Sequence, residues 1–203
     1  MAFNGAVVAN FATGEFEYRH ALERDSAIEV VARLRACHPE VLAGLETQSG
    51  WYWDSALLEL RREALTARGL PFPTGHGDVC DFLGDDAVKL LFRHPTLTSA
   101  TLARALQGLP LYATWTSDKL LEVMAQAVNK REALEHLCAK FGLCAADVAA
   151  FGDQNNDKEM LEWAGFGVAV ANAAPEAKLA ADFITGSNDE DGVAVVLEGW
   201  LDV

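Results

Sequence analysis

Asp153 and Asp157 stand four residues apart in Val148-Ala149-Ala150-Phe151-Gly152-Asp153-Gln154-Asn155-Asn156-Asp157, where a short apolar run empties into Gly-Asp and then Asn-Asp. The run reads as a buried strand, and a helical pattern follows at once. Two carboxylates and an amide therefore fall where a parallel strand ends, the crevice in which open α/β sheets carry their chemistry. Carboxylates beside helix-terminal N–H groups suit a Mg²⁺ ion and a phosphoryl group. The same residues have a structural use: Asp, Asn and Gly favour turns, and Asn155 or Asn156 would cap the next helix. The polar run from Gln154 to Asp157, set between an apolar strand and the apolar helix face of Met160, Leu161 and Ala164, exceeds what one cap requires.

Two further residues could face that crevice. Lys130 opens Lys130-Arg131-Glu132-Ala133-Leu134, one helix upstream of the Asp153 strand. It reads either as a solvated helix residue or as an ammonium holding a phosphate against a metal site. Asn172 ends the apolar stretch Val168-Ala169-Val170-Ala171 before Pro175. It could face the same crevice or cap the helix that Pro175 opens.

The elements that must position these groups fall into two regimes. Short strands are expected over 6–10, 16–20, 41–46, 50–53, 87–93, 112–116 and 120–124, with turns at 12–15 and 47–49. Helices are expected over 26–37, 57–65 (with Arg61 and Arg62 outward) and 99–106, and 69–77 is a Pro/Gly-rich loop. After Asn129 the rhythm becomes helix 130–141, strand 148–151, helix 156–164, strand 167–170, a short helix from Pro175, strand 182–185 and helix 193–201. Such alternation implies parallel pairing. The expected organisation is an α/β fold. Residues 1–11 are a remnant of an N-terminal core, 12–125 an α+β module, and 126–203 a doubly wound sheet that completes one begun near residue 5.

The 203 residues suffice for one large or two small domains, and half of them are apolar. A net charge of −14 argues against nucleic acid or anionic membrane as partners. A phosphorylated substrate stays open, because a bound cation can dominate the local field. No basic segment leads into an apolar one at the start, and no apolar run approaches membrane-spanning length, so a cytoplasmic location is expected. The 4 cysteines show no metal-ligand spacing, with Cys138 and Cys144 expected in the core, and the 5 histidines are scattered.

The order Lys130-x-x-Ala133-Leu134, then Phe151-Gly152-Asp153-x-x-Asn156-Asp157-x-x-Met160-Leu161, then Val168-Ala169-Val170-x-Asn172-Ala173 and Ala181-Asp182, closing on Asn188-Asp189-x-Asp191-Gly192-Val193, resembles the haloacid dehalogenase (HAD) superfamily. More narrowly it is similar to the Cof-type, class IIB phosphatases, and Phe3-Asn4-Gly5-Ala6 is similar to the segment leading from their core toward the cap. The resemblance implies a Rossmann-like core with an inserted α+β cap, and hydrolysis of small phosphorylated metabolites. In that chemistry an Asp attacks phosphorus, a neighbouring Asp works as acid and base, and Mg²⁺ neutralises the non-bridging oxygens. It further implies that Lys130 binds phosphate and nucleophile, that Asp153 ligates Mg²⁺, and that Asn156 and Asp157 support the metal's waters and the loop. The cap would supply specificity contacts, and Trp51, Trp53, Arg93 and His94 are either pocket residues or packing and surface residues.

One departure from that pattern shapes the expectations. No apolar strand ending in Asp-x-Asp-x-Thr lies anywhere in the chain, and Met1 stands only three residues ahead of Asn4. Asp85-Asp86 and Asp189-Glu190-Asp191 lack the preceding strand and spacing of a nucleophile. The expectation is a truncated chain that is inactive alone, with a single-carboxylate Mg²⁺ site, exposed sheet edges and a tendency to associate through them. The competing expectation is a non-catalytic binding or oligomerising module.

Overall fold

A computed structural model describes residues 1–10, 12–13, 15–48, 50–84 and 87–201, with backbone alone at 16–19 and 116. Gly14 and Ser49 of the two expected turns, and Asp85 and Asp86, lie outside the described residues. The chain divides into two compact units, Arg19–Ala127 and the pair of segments Met1–Tyr18 and Val128–Val203.

In Arg19–Ala127, strands β3 (Leu42–Thr47), β4 (Trp51–Asp54), β5 (Gly75–Gly77), β6 (Ala87–Arg93), β7 (Leu111–Ser117) and β8 (Leu120–Ala125) form one sheet in the order β5-β4-β3-β6-β8-β7. All neighbours are antiparallel except β4 and β5. Strand alternation sends Ala43, Leu45, Leu90, Phe92, Leu121 and Val123 to one face. There they meet Ala27, Val30, Val31 and Leu34 of helix α1 (Arg24–Cys37) and Leu102 of α3 (Ser99–Arg104) in a single core. Burying each large side chain contributes about 1.5–3 kcal/mol. On the opposite face helix α2 (Ser55–Ala67) lays Leu57, Leu58 and Leu65 against Trp53.

Two expectations fail here. The 69–77 loop contains β5, whose residues carry no alternating pattern and become a strand only by pairing with β4. Arg61 is half-buried on the stripe of Leu57, Leu58 and Leu65, whereas Arg62 is exposed and pairs with Glu59 at 2.7 Å.

In the other unit, β1 (Val7–Ala9) pairs with β2 (Phe16–Arg19) as a two-stranded sheet. It does not begin the C-terminal sheet, which corrects that expectation. β9 (Ala149–Gly152), β10 (Phe166–Ala169) and β11 (Phe183–Ile184) form a parallel sheet in the order β11-β10-β9. Ala150 and Ala169 face α5 (Lys158–Trp163) and α6 (Pro175–Ala180) in one apolar cluster. Phe151 and Phe166 face the other way, where Trp200 of α7 (Gly192–Leu201) packs on both rings at 6.2 and 5.9 Å. Helices thus cover both faces, as the alternating rhythm requires. Cys138 is buried, but Cys144 is exposed and bonded to Asp147, against the expectation for it.

Helix α4 (Lys130–Phe141) begins where it must. Asn129 caps it, its Oδ1 accepting from the Glu132 N–H at 2.8 Å, and Gly142 ends it in the left-handed conformation. No helix among the described residues is long and apolar enough to cross a membrane.

Candidate active site

Gly152 closes β9 and admits Asp157 into close approach: a Cβ there would stand 2.5 Å from the Asp157 Cβ. The chain then turns through a 3₁₀ segment, Asn155–Asp157, before α5 begins at Lys158. Within that turn Asp157 Oδ2 accepts from the backbone N–H groups of Asp153 and Gln154, at 2.9 and 3.0 Å. Its Oδ1 accepts from the Lys130 ammonium. The Asp157 side chain is 4% exposed and that of Lys130 30%, so the pair joins a buried anion to a cation that still reaches solvent.

Lys130 holds its place because α4 starts against the Phe3–Gly5 turn. Gly5 has φ +97°, and a Cβ on it would lie 2.3 Å from the Asn129 carbonyl oxygen. Lys130, Asp157, Phe151 and Met160 line a cavity of about 270 Å³ with Met1, Ala2, Asn4 and Gly5. A second cavity of about 260 Å³ is lined by Phe151, Gly152, Asp153, Val170, Asn188 and Val193. Phe151 belongs to both, so the β9 end has Lys130 on one side and Asp153 on the other.

The Asp153 carboxylate is exposed and accepts from the Gln154 side-chain amide at 2.9 Å. Asn156 does not cap a helix. It is 5% exposed. Its Nδ2 donates to the Asn4 Oδ1 at 3.1 Å, while its Oδ1 is buried without a partner among the described residues. Asn172 does not cap α6 either, since Ala174 takes that position. It exchanges hydrogen bonds with Asn188, which lines the Asp153 cavity. Lys130, Asp153, Asn156 and Asp157 are thus gathered at one strand end, and Asn172 reaches it through Asn188. Asn4, Gly5 and Asn188 are additions to the expected set.

The donors suit a hard, oxygen-seeking cation: an exposed carboxylate at Asp153, held only by the Gln154 amide among the described residues, and an orphaned amide oxygen at Asn156. Among the described residues no three His, Cys, Asp or Glu side chains converge. Mg²⁺ asks for near-octahedral oxygen ligation, so these residues fit part of its shell and do not complete it.

The family model of haloacid dehalogenase-like hydrolases matches residues 1–197. The chain belongs to that family. It is 42% identical over 91 residues to the 5-amino-6-(5-phospho-D-ribitylamino)uracil phosphatase YcsE of Bacillus subtilis, a match covering 45% of this chain and 36% of YcsE. It is 34% identical over 156 residues to the HMP-PP phosphatase of Yersinia pseudotuberculosis, covering 75% and 56%. The chain therefore spans about half or less of these curated relatives. The fold superposes on SMU.1108c of Streptococcus mutans with a TM-score of 0.85 and 23% identity, over 98% of this chain and 75% of that one. It superposes on the HAD subclass IIB sugar phosphatase BT4131 with a TM-score of 0.83 and 18% identity, over 98% and 74%.

Proposed function

We propose that this HAD-type chain supplies the lysine and acidic loop of a Mg²⁺-dependent phosphomonoesterase acting on small phosphorylated metabolites. The observation that carries the reading is the Lys130–Asp157 pair beside the exposed Asp153 carboxylate. A partly exposed ammonium fixed by a buried carboxylate is suited to hold a phosphoryl oxygen at a stated place. Asp157 serves as the anchor for Lys130 and the loop, because both its oxygens are engaged. Asp153 is the residue that would hold Mg²⁺, and the Asn156 Oδ1 would accept from one of its waters. When bound, the ion would neutralise charge on the phosphoryl oxygens. The reading assigns Arg19–Ala127 the part of a cap that closes over substrate and excludes water.

The reading requires a nucleophile and further oxygen ligands that none of these residues provides. The 203-residue polypeptide alone is therefore expected not to hydrolyse p-nitrophenyl phosphate. Appending a segment that carries an Asp-x-Asp-x-Thr strand is expected to give EDTA-sensitive hydrolysis that falls at least a hundredfold in Asp153→Ala and Lys130→Ala. EDTA-sensitive turnover by the unextended chain, or wild-type rates in those variants, would refute it.

A second reading, a non-catalytic module that associates with itself, is favoured by one observation. Val195, Leu197, Trp200 and Leu201 of α7 are all exposed, and β9 is a sheet edge among the described residues. A solution mass that stays at one 21.9 kDa chain across concentrations would remove it.

A further inference from the structure

On the sheet face that α2 covers, the unit Arg19–Ala127 carries two guanidinium groups, those of Arg61 and Arg93, that meet no carboxylate among the described residues. Arg93 closes β6 opposite Leu42 of β3. Arg61 rides α2 four residues after Leu57 and four before Leu65, on the stripe those leucines bury. Among the described residues neither arginine has a hydrogen-bond or ion-pair partner, and the Arg93 Nε is buried. The chain has 30 acidic residues against 16 basic ones, and Arg35, Arg62 and Arg131 all find carboxylates. Burial first, and the nearby charge of Arg61 second, hold the Arg93 guanidinium below its usual range.

A third donor points the same way. The Trp53 Nε1 is buried without a partner, and Trp53 is 7% exposed. Its ring lies over Gly44, where a Cβ would stand 3.0 Å from the Trp53 Cδ1 and 3.3 Å from the Nε1. Gly44 follows Leu42 by two in β3, so Trp53 and Arg93 share the sheet face that α2 covers. Buried donors without acceptors are rare, and a neighbouring like charge disfavours the charged form of each guanidinium. Water would satisfy the N–H groups but not the charge.

We propose that Arg61, Arg93 and the Trp53 indole N–H form a binding site for a small oxyanion, the phosphate or carboxylate group of a metabolite. Guanidinium groups match both groups by their paired donors, and the indole N–H adds a third from the sheet. The site lies wholly within Arg19–Ala127 and does not depend on the reading of Lys130 and Asp153.

The test uses the 203-residue protein carrying Lys130→Met, so that the other candidate anion contact is gone. Phosphate, malonate and chloride are titrated at constant ionic strength while the Trp53 indole N–H resonance, assigned with Trp53→Phe, is followed by NMR. Phosphate or malonate should shift that resonance saturably and chloride should not; the tighter of the two names the ligand group. Arg93→Gln and Arg61→Gln should each weaken binding about tenfold or more. Arg93→Gln should also raise the melting temperature in anion-free buffer, since it removes an unpaired charge whose Nε is buried. If Arg93→Gln fails to fold, Arg61→Gln, at a half-exposed helix position, decides alone. No saturable shift with phosphate or malonate, or a shift that survives the arginine substitutions unchanged, overturns the proposal.

Discussion

Asp157 grips Lys130 with one carboxylate oxygen and the Asp153–Gln154 backbone with the other. One buried side chain therefore fixes both the cation and the loop that carries the exposed Asp153 carboxylate. The two acidic residues of this corner do different work, and substitution should separate them.

Asp157→Asn breaks the ion pair and leaves Lys130 facing an amide, with a loss of about 1–3 kcal/mol in stability. The loss stays below that of a fully buried pair because Lys130 reaches solvent. Asp153→Asn touches only the exposed contact with Gln154. Its cost should stay within about 0.5 kcal/mol. Urea denaturation of both variants checks the contrast; equal losses would contradict it.

Acid should weaken the Arg19–Ala127 unit through Asp78. Its carboxyl is held below the usual carboxylate range, chiefly by the Cys80 backbone N–H; burial opposes this, and Arg35 adds to the lowering. A carboxyl lowered in the folded state adds stability that is complete above the ordinary carboxylate range and is lost as pH falls through the folded value. Asp78→Asn should therefore narrow the difference in denaturation midpoint between pH 7 and pH 3. An unchanged difference would exclude Asp78 as a contributor.

Much of this site is legible in the residues themselves. The Gly152-Asp153 junction and the step to Asp157 mark a strand end, because a side chain at 152 would collide with Asp157. Helix α4 runs from Lys130 to Phe141 as its spacing predicts, bounded by Asn129 and Gly142. What escaped the sequence is what depends on distant partners. Asn4 meets Asn156 from 152 positions away, and nothing local to either residue announces the contact. β5 exists only through β4. Arg61 looks like its neighbour Arg62 until the sheet beneath α2 is in place. Asn172 reads as a cap or a site residue, and its partner Asn188 lies in a different turn.

The most direct test of the central claim is where a divalent cation lands. Mn²⁺, added in place of Mg²⁺ to the ¹⁵N-labelled 203-residue protein, should broaden the amide resonances of Gly152–Asp157 and the Asn156 side chain first. The binding should be weak, as one carboxylate permits, and Asp153→Asn should abolish it without disturbing the rest of the spectrum. Broadening that begins elsewhere, or that survives Asp153→Asn at these residues, would contradict the account.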